Sequence, residues 1–273
     1  RSEDPVVEAA ESPATVIVAG EPEGCSAKCN ALAAGLERAT HDRFVCTDAD
    51  FEHGDEWLDT VRKRLTRVPS GHVLSTGPVL VSEGTLGKML EPSSVVGVAT
   101  SVRLNAGVWG GTMAFRRDDI DLTRFIADLQ QTVGDDALLA ERADGIEVAR
   151  SLVRDLPVDG TFKGTLARRV RWTRMGLYLD QAGIMFRVVG SLLVILGTLF
   201  APLFTIPLVT GIAAAAYAAL GVRRWTFLLA VPGHVLALAL LCYGLLHVEF
   251  QWGGRRYRWP SLYDVTVWDS NKQ

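Results

Sequence analysis

The stretch FVCTDADFE at residues 44–52 runs from an apolar segment into acids at alternating positions, Asp48, Asp50 and Glu52. Two carboxylates one residue apart at the end of a strand are held rigidly and offer oxygen ligands suited to a hard divalent cation such as Mg2+ or Mn2+. Such an alternation also opens a calcium-binding EF-hand loop. That loop needs Gly at its sixth place and Glu at its twelfth, where this chain has His53 and Asp59, and it follows a helix rather than a strand. A solvated acidic turn with no chemical task is the remaining plain alternative.

Three further groups could join the acids. GVWGGTMAFRRDDI at 107–120 places Gly110 and Gly111 before a short apolar strand, a backbone that lets a bulky ligand approach closely, although a plain tight turn would use the same residues. VGDDALLAERA at 133–143 sets Asp135 and Asp136 at the start of a helix, where the dipole favours an ionised carboxylate and where simple capping is the competing role. RRVRW at 168–172 supplies Arg168, Arg169 and Arg171, guanidinium donors suited to phosphate, beside Trp172. The same residues suit a membrane-flanking anchor.

The elements that must position these groups read as alternating strands and helices. TVIVA at 15–19 is a strand signal closed by Gly20. The segment after Ser26 carries Ala27, Ala31, Leu32, Leu36 and Ala39 at helical spacing, with Ser26 as N-cap. RFVCTD predicts the next strand, GDEWLDTVRKRLTRV the next helix, and HVLSTGPVLV one or two strands. This alternation implies an α/β sheet with helices on its faces, in which ligands gather beyond the carboxyl ends of strands.

From about residue 183 the chain changes character. Val188–Phe204, Thr205–Val222 and Trp225–His247 are apolar and each long enough to span hydrocarbon, with Pro202 and Pro207 expected to shape the first turn and Arg223–Arg224 to mark a cytoplasmic loop. Three crossings would put the tail opposite the soluble domain, whereas the basic GGRRYRW argues for the same side. A transporter would need ionisable groups within these spans, and His234 alone qualifies. The net charge of −3, with 28 Lys and Arg against 31 Asp and Glu, argues against a nucleic-acid binder. Cys25, Cys29, Cys46 and Cys242 have no zinc-type spacing and read as reduced thiols. The chain opens on Arg, with no leading apolar segment, and reads as lacking an initial anchor or strand.

In order and spacing these motifs resemble a membrane-bound family 2 glycosyltransferase, closest to the ceramide glucosyltransferase-like branch. TDAD resembles its metal-binding D-x-D, GDDALLAERA the element with its catalytic Asp, and RRVRW its (Q/R)-x-x-R-W; Lys28 and Asn30 fall on its G-x-N-x-K-x-N-x-L segment, and FQWGGRRYRW resembles its W-x-x-R-x-Y close. The family's first aspartate has no clear counterpart, since only Glu3 and Asp4 lie near its place.

The resemblance implies an α/β, GT-A type (Rossmann-like) domain over 1–165 lacking its first strand. It also implies an amphipathic interfacial segment over 166–182, about three transmembrane helices over 183–248 and a tail over 249–273. The expected activity is inverting transfer of a hexose from a nucleotide-sugar, such as a UDP-sugar, to a membrane lipid hydroxyl, one sugar at a time. Asp48 and Asp50 would bind Mg2+ or Mn2+, and Asp136 would be the base, with Asp135 as its alternate. Lys28, Arg168, Arg171, Trp172, Gly110 and Gly111 would line the donor. The protein would be integral to the membrane with its catalytic domain cytoplasmic. A catalytically inactive membrane scaffold is the alternative from another class.

Overall fold

The computed structural model describes residues 15–49 and 53–269. Helix α1 (Ala27–Arg38) begins where predicted, because the Ser26 hydroxyl accepts the Cys29 amide, and it buries Cys29, Ala33 and Leu36 on one face. Strand β1 (Arg43–Cys46), helix α2 (Trp57–Leu65) and strands β2 (His72–Ser75) and β3 (Pro78–Val81) follow. A long helix α3 (Thr85–Leu104) then leads to β4 (Met113–Arg116), α4 (Leu122–Leu129), α5 (Asp135–Arg142), β5 (Gly145–Val148) and β6 (Arg154–Pro157).

Four strands form one sheet in the order β1-β4-β2-β5, with β4 antiparallel to both neighbours and β5 parallel to β2. Strand alternation divides the core between its two faces. Met113 and Phe115 of β4 and Val73 of β2 pack with α1, α4 and α5 through Cys29, Leu36, Phe125, Leu129 and Leu138. Ala114 and Leu74, the intervening residues, pack with Val61 and Leu65 of α2. The result is a helix, sheet, helix sandwich that carries the end of β1 and the start of β4 to one edge. HVLSTGPVLV yields two strands, and they enter different sheets: among the described residues β3 pairs only with β6, in parallel.

Residues 15–19 are a correction. They form no strand, and Val16 and Val18 are exposed. A strand needs a ladder partner, and β1, an edge of the sheet, pairs only with β4 among the described residues. The segment is held instead by the Asn30 side-chain amide, which donates to the Ala19 carbonyl at 3.1 Å.

After β6 come α6 (Phe162–Leu179), α7 (Gln181–Phe200), α8 (Pro202–Leu220), a 3-10 turn (Trp225–Leu229) and α9 (Ala230–Leu246). Among the described residues, three segments are long and apolar enough to cross a membrane: Gln181–Phe200, Pro202–Leu220 and Trp225–Leu246. The first turn falls at Ala201, four residues earlier than the sequence suggested. Pro202 starts α8, where its missing N–H costs nothing, while Pro207 lies inside that helix rather than in the turn.

The tail holds more order than the single short strand expected of it. Strands β7 (Glu249–Trp252), β8 (Arg255–Ser261) and β9 (Asp264–Asp269) form an antiparallel meander. Its first turn uses Gly253 and Gly254, both at positive φ as a tight hairpin demands. Phe250, Tyr257 and Trp259 pack against Val133, just before α5, and Val170 of α6. All four cysteines are free.

Candidate active site

Asp48 follows the end of β1, and Asp135 and Asp136 open α5. The sandwich sets that helix start beside the strand end, and Lys28 of α1 reaches between them. Its ammonium is 2.6 Å from Asp48 Oδ1 and 2.9 Å from Asp135 Oδ2. Burial works against the Lys28 charge, but the fields of Asp135, Asp136 and Asp48 more than offset it and hold its pKa above the ordinary range.

Asp136 is held by two backbone amides, Ala137 N to Oδ1 at 2.8 Å and Gly110 N to Oδ2 at 3.3 Å. Burial, reinforced by Asp135, pushes its pKa up to about 6 against the opposing pull of Lys28. Asp135 is buried and pairs with Lys28, so the two adjacent acids have different surroundings. Gly110 is the contact point: a Cβ there would collide with the Lys28 ammonium and lie 3.0 Å from Asp48 Oδ1. At Gly111 a Cβ would run into the Trp109 ring.

The loop after β1 is tied to these glycines by residues the sequence did not single out. The Thr47 hydroxyl donates to the Gly111 carbonyl at 2.7 Å and lies 2.7 Å from His53 Nε2. The His53 ring stacks on Trp57 at 3.6 Å between centroids, and the Trp57 indole donates to Thr112. Burial lowers the His53 pKa, with Arg154 adding to the effect. A threonine immediately before the first acid was the available signal, since a hydroxyl at a strand end can tie a neighbouring turn.

Helix α6 brings in part of RRVRW. The Arg171 guanidinium lies over the Trp252 ring, 4.0 Å from its centroid. Burial lowers its pKa to about 10, opposed by Asp136, Asp135 and Asp48, so it is a permanent cation facing the acids. Arg168 turns elsewhere and donates to the Asp159 carbonyl at 3.0 Å. Trp172 lies beneath Arg168 and Arg169, 5.7 and 5.6 Å from the ring centre. The fold thus gathers Lys28, Asp48, Asp135, Asp136, Gly110 and Arg171, with Gly111 one step behind, and places Arg168 and Trp172 at the periphery.

Asp50 lies outside the described residues, as do Glu3, Asp4 and Glu52. Among the described residues no three His, Cys, Asp or Glu side chains are arranged to hold a metal ion. Asp48 is nevertheless a hard oxygen donor with an ammonium against one oxygen, so this position already draws positive charge. That chemistry fits Mg2+ or Mn2+.

A family model described as glycosyl transferase family 21 matches residues 6–262. No curated protein and no solved structure matches the chain.

Proposed function

The chain belongs to glycosyl transferase family 21, and from that membership we propose that it moves a hexose from a nucleotide-sugar, most simply a UDP-sugar, to the hydroxyl of a membrane lipid. The observation that carries this reading is the convergence of Asp48, Asp135 and Asp136, from separate parts of the chain, around Lys28, with the Arg171 charge acting on the same acids. A sheet covered by helices on both faces, with these acids at strand and helix ends, is what a GT-A type domain would need, and supports that assignment.

Asp48, with Asp50, would hold Mg2+ or Mn2+, which when bound supplies Lewis-acid neutralisation of the diphosphate leaving group. Lys28 and Arg171 add fixed positive charge where the diphosphate oxygens would lie, and Arg171 can engage them through two N–H groups at once. Gly110, lacking a side chain, leaves the donor room to approach the Lys28–Asp48 pair. Asp136 takes the proton from the acceptor hydroxyl as that oxygen attacks the anomeric carbon, which inverts the configuration. A carboxylate with a pKa near 6 is charged at neutral pH and more basic than an ordinary Asp. Gly110 N–H and Ala137 N–H fix its orientation, while Asp135 stays engaged with Lys28.

The apolar helices that continue from α6 support a lipid acceptor, because its acyl chains need not leave hydrocarbon while its hydroxyl reaches the site. Two or three spans are few for a polysaccharide channel, which favours transfer of a single sugar. Arg223 and Arg224 after α8 favour a cytoplasmic domain.

The test is to incubate membranes carrying the protein with labelled UDP-sugars and GDP-sugars, with and without Mn2+, and to extract the lipids. Metal-dependent label in a glycolipid is expected. Absence of both label and metal-dependent donor binding would favour an inactive scaffold, and long glycan chains would overturn single transfer.

A further inference from the structure

The catalytic domain and the C-terminal sheet are one packed body. Tyr257 and Trp259 are fully buried against Val133 and Val170. The Tyr257 hydroxyl accepts the Ala27 amide at 3.3 Å, Arg255 pairs with Glu21 at 2.6 Å, and Arg171 lies over Trp252. No bilayer can pass between surfaces in such contact. The chain leaves this body at the end of α6 and rejoins it at β7, so between those points it must cross a membrane an even number of times. Three segments have the length and composition to cross. One of them therefore does not.

The packing identifies which. Both halves of α9 are held on helices of the catalytic domain. A Cβ at Gly233 would collide with the Met89 carbonyl of α3, and one at Gly244 would lie 2.5 Å from Thr173 Oγ1 and 3.1 Å from the Arg169 carbonyl of α6. The C-terminal end is tied further, since Arg174 donates to the Leu245 carbonyl at 2.7 Å and to the His247 carbonyl at 2.8 Å. Gly233 and Gly244 are separated by about 16 Å of helix, so the contact runs along most of α9. Its partner α6 carries Lys163, Arg168, Arg169, Arg171 and Arg174, a set of charges that hydrocarbon does not accommodate. On its other side α9 meets α7, where Ser191 Oγ and His234 Nδ1 are 3.3 Å apart.

Helices α7 and α8 contrast with this. No charged residue occurs between Val188 and Val222, as none occurs in α9 itself, so the difference lies in what each helix packs on. At the far end of the pair Phe200 is 84% and Leu203 93% exposed, with Leu199 and Phe204 also bare. At the near end α7 packs on α6, where a Cβ at Gly176 would lie 2.8 Å from Ile184, and Tyr217 of α8 packs with Val79 and Val95 of the domain. Arg187, Arg223, Arg224 and the exposed Trp225 ring this base, the residue types that mark a membrane surface.

We propose that between α6 and β7 the chain enters the bilayer once, as the α7–α8 hairpin, and returns to the side it left, with α9 held on the catalytic domain as an apolar deck at the membrane surface. The proposal rests on the membrane reading given above. It places the C-terminal sheet, with Trp252, on the same side as the acids.

Sealed vesicles of both orientations test this with a membrane-impermeant maleimide. The protein would carry a single introduced cysteine at an exposed position, Ser70→Cys in the domain or Ser261→Cys or Asp264→Cys in the tail, in a Cys46→Ala, Cys242→Ser background that also removes the half-buried thiol of the domain. Domain and tail cysteines are expected to react in the same vesicle orientation and to be protected in the other until detergent is added. Labelling of both tail positions only from the opposite face would overturn the proposal while leaving an integral membrane protein. Release of the protein by an alkaline carbonate wash would overturn the membrane reading itself, and the proposal with it.

Discussion

The Lys28 ammonium and the Asp48 carboxylate meet at 2.6 Å directly against the α-carbon side of Gly110, where no side chain can be placed. Lys28 comes from α1, Asp48 from the end of β1 and Gly110 from the turn before β4, so this one contact fixes three parts of the site. Replacing Gly110 with Ala is expected to lower kcat/KM at least about tenfold, equivalent to about 1.4 kcal/mol. Gly35→Ala is the control, because nothing lies within 4 Å of a Cβ there. Within α1 that change should raise stability by about 0.5–1 kcal/mol without altering turnover. Steady-state kinetics and thermal unfolding of the two variants check the contrast.

Lys28→Met removes the cation from among three carboxylates. Asp135, with 4% of its side chain exposed, is left without its ion-pair partner, while Lys28 itself is 27% exposed and its loss is partly screened. A destabilisation on the order of 2 kcal/mol is expected, below the value for a fully buried pair. In the double variant Lys28→Met, Asp135→Leu the penalty should shrink. Equal loss in the single and double variants, measured by denaturant unfolding, would contradict the pairing.

Asp136→Asn keeps the shape but cannot take a proton. Turnover should fall by about 10²–10⁴ while donor affinity changes only a few-fold. In the wild-type protein the folded pKa of Asp136 is raised to about 6, so its carboxylate becomes protonated, and activity declines, as pH drops through that value. An ordinary Asp would hold its charge to about two pH units lower. A pH–rate profile of kcat/KM with no acidic limb near 6 would exclude Asp136 as the base.

Trp252→Leu takes away the ring over which Arg171 lies at 4.0 Å. A cation above an aromatic face is worth roughly 0.5–2 kcal/mol, so donor KM is expected to rise about two- to thirtyfold. Arg171→Lys should weaken donor binding too, because an ammonium cannot engage diphosphate through a planar fork. Donor binding by calorimetry distinguishes these from a change in the chemical step.

Glu91 of α3 is fully buried and accepts from Arg224 Nε at 3.0 Å and Tyr217 at 3.2 Å, with the Thr226 hydroxyl on the same oxygen. This cluster ties the end of α8 and the 3-10 turn to the catalytic domain. Arg224→Met leaves the carboxylate without its cation and should cost about 3 kcal/mol, while adding Glu91→Leu should recover part of it. Thermal unfolding in detergent measures both.

Much of the site was legible because its signals are local. A Ser26 cap, an apolar run ending in Asp48, paired glycines and two acids opening a helix are read within a few residues, and the structure places Lys28, Asp48, Asp135, Asp136 and Gly110 together. Signals that depend on distant partners were not legible. TVIVA has the composition of a strand, yet a strand exists only where a neighbour offers its hydrogen bonds. Arg168 and Arg171 look equivalent in RRVRW, but on α6 one donates to the Asp159 carbonyl and the other lies over Trp252, 81 residues away in sequence, facing the acids.

By itself the sequence determined which residues could bear charge, which stretches repel water and which families of chemistry were open, since side-chain types and short-range spacing set these directly. Tertiary structure alone decided the company each charge keeps and where the tail lies. An apolar helix can bury itself in lipid or against protein at similar gain, so composition marked α9 as a membrane span with the same strength as α7 and α8. Only packing of both its halves, on α3 and on α6, and the tail folded onto the catalytic domain, separate it from them.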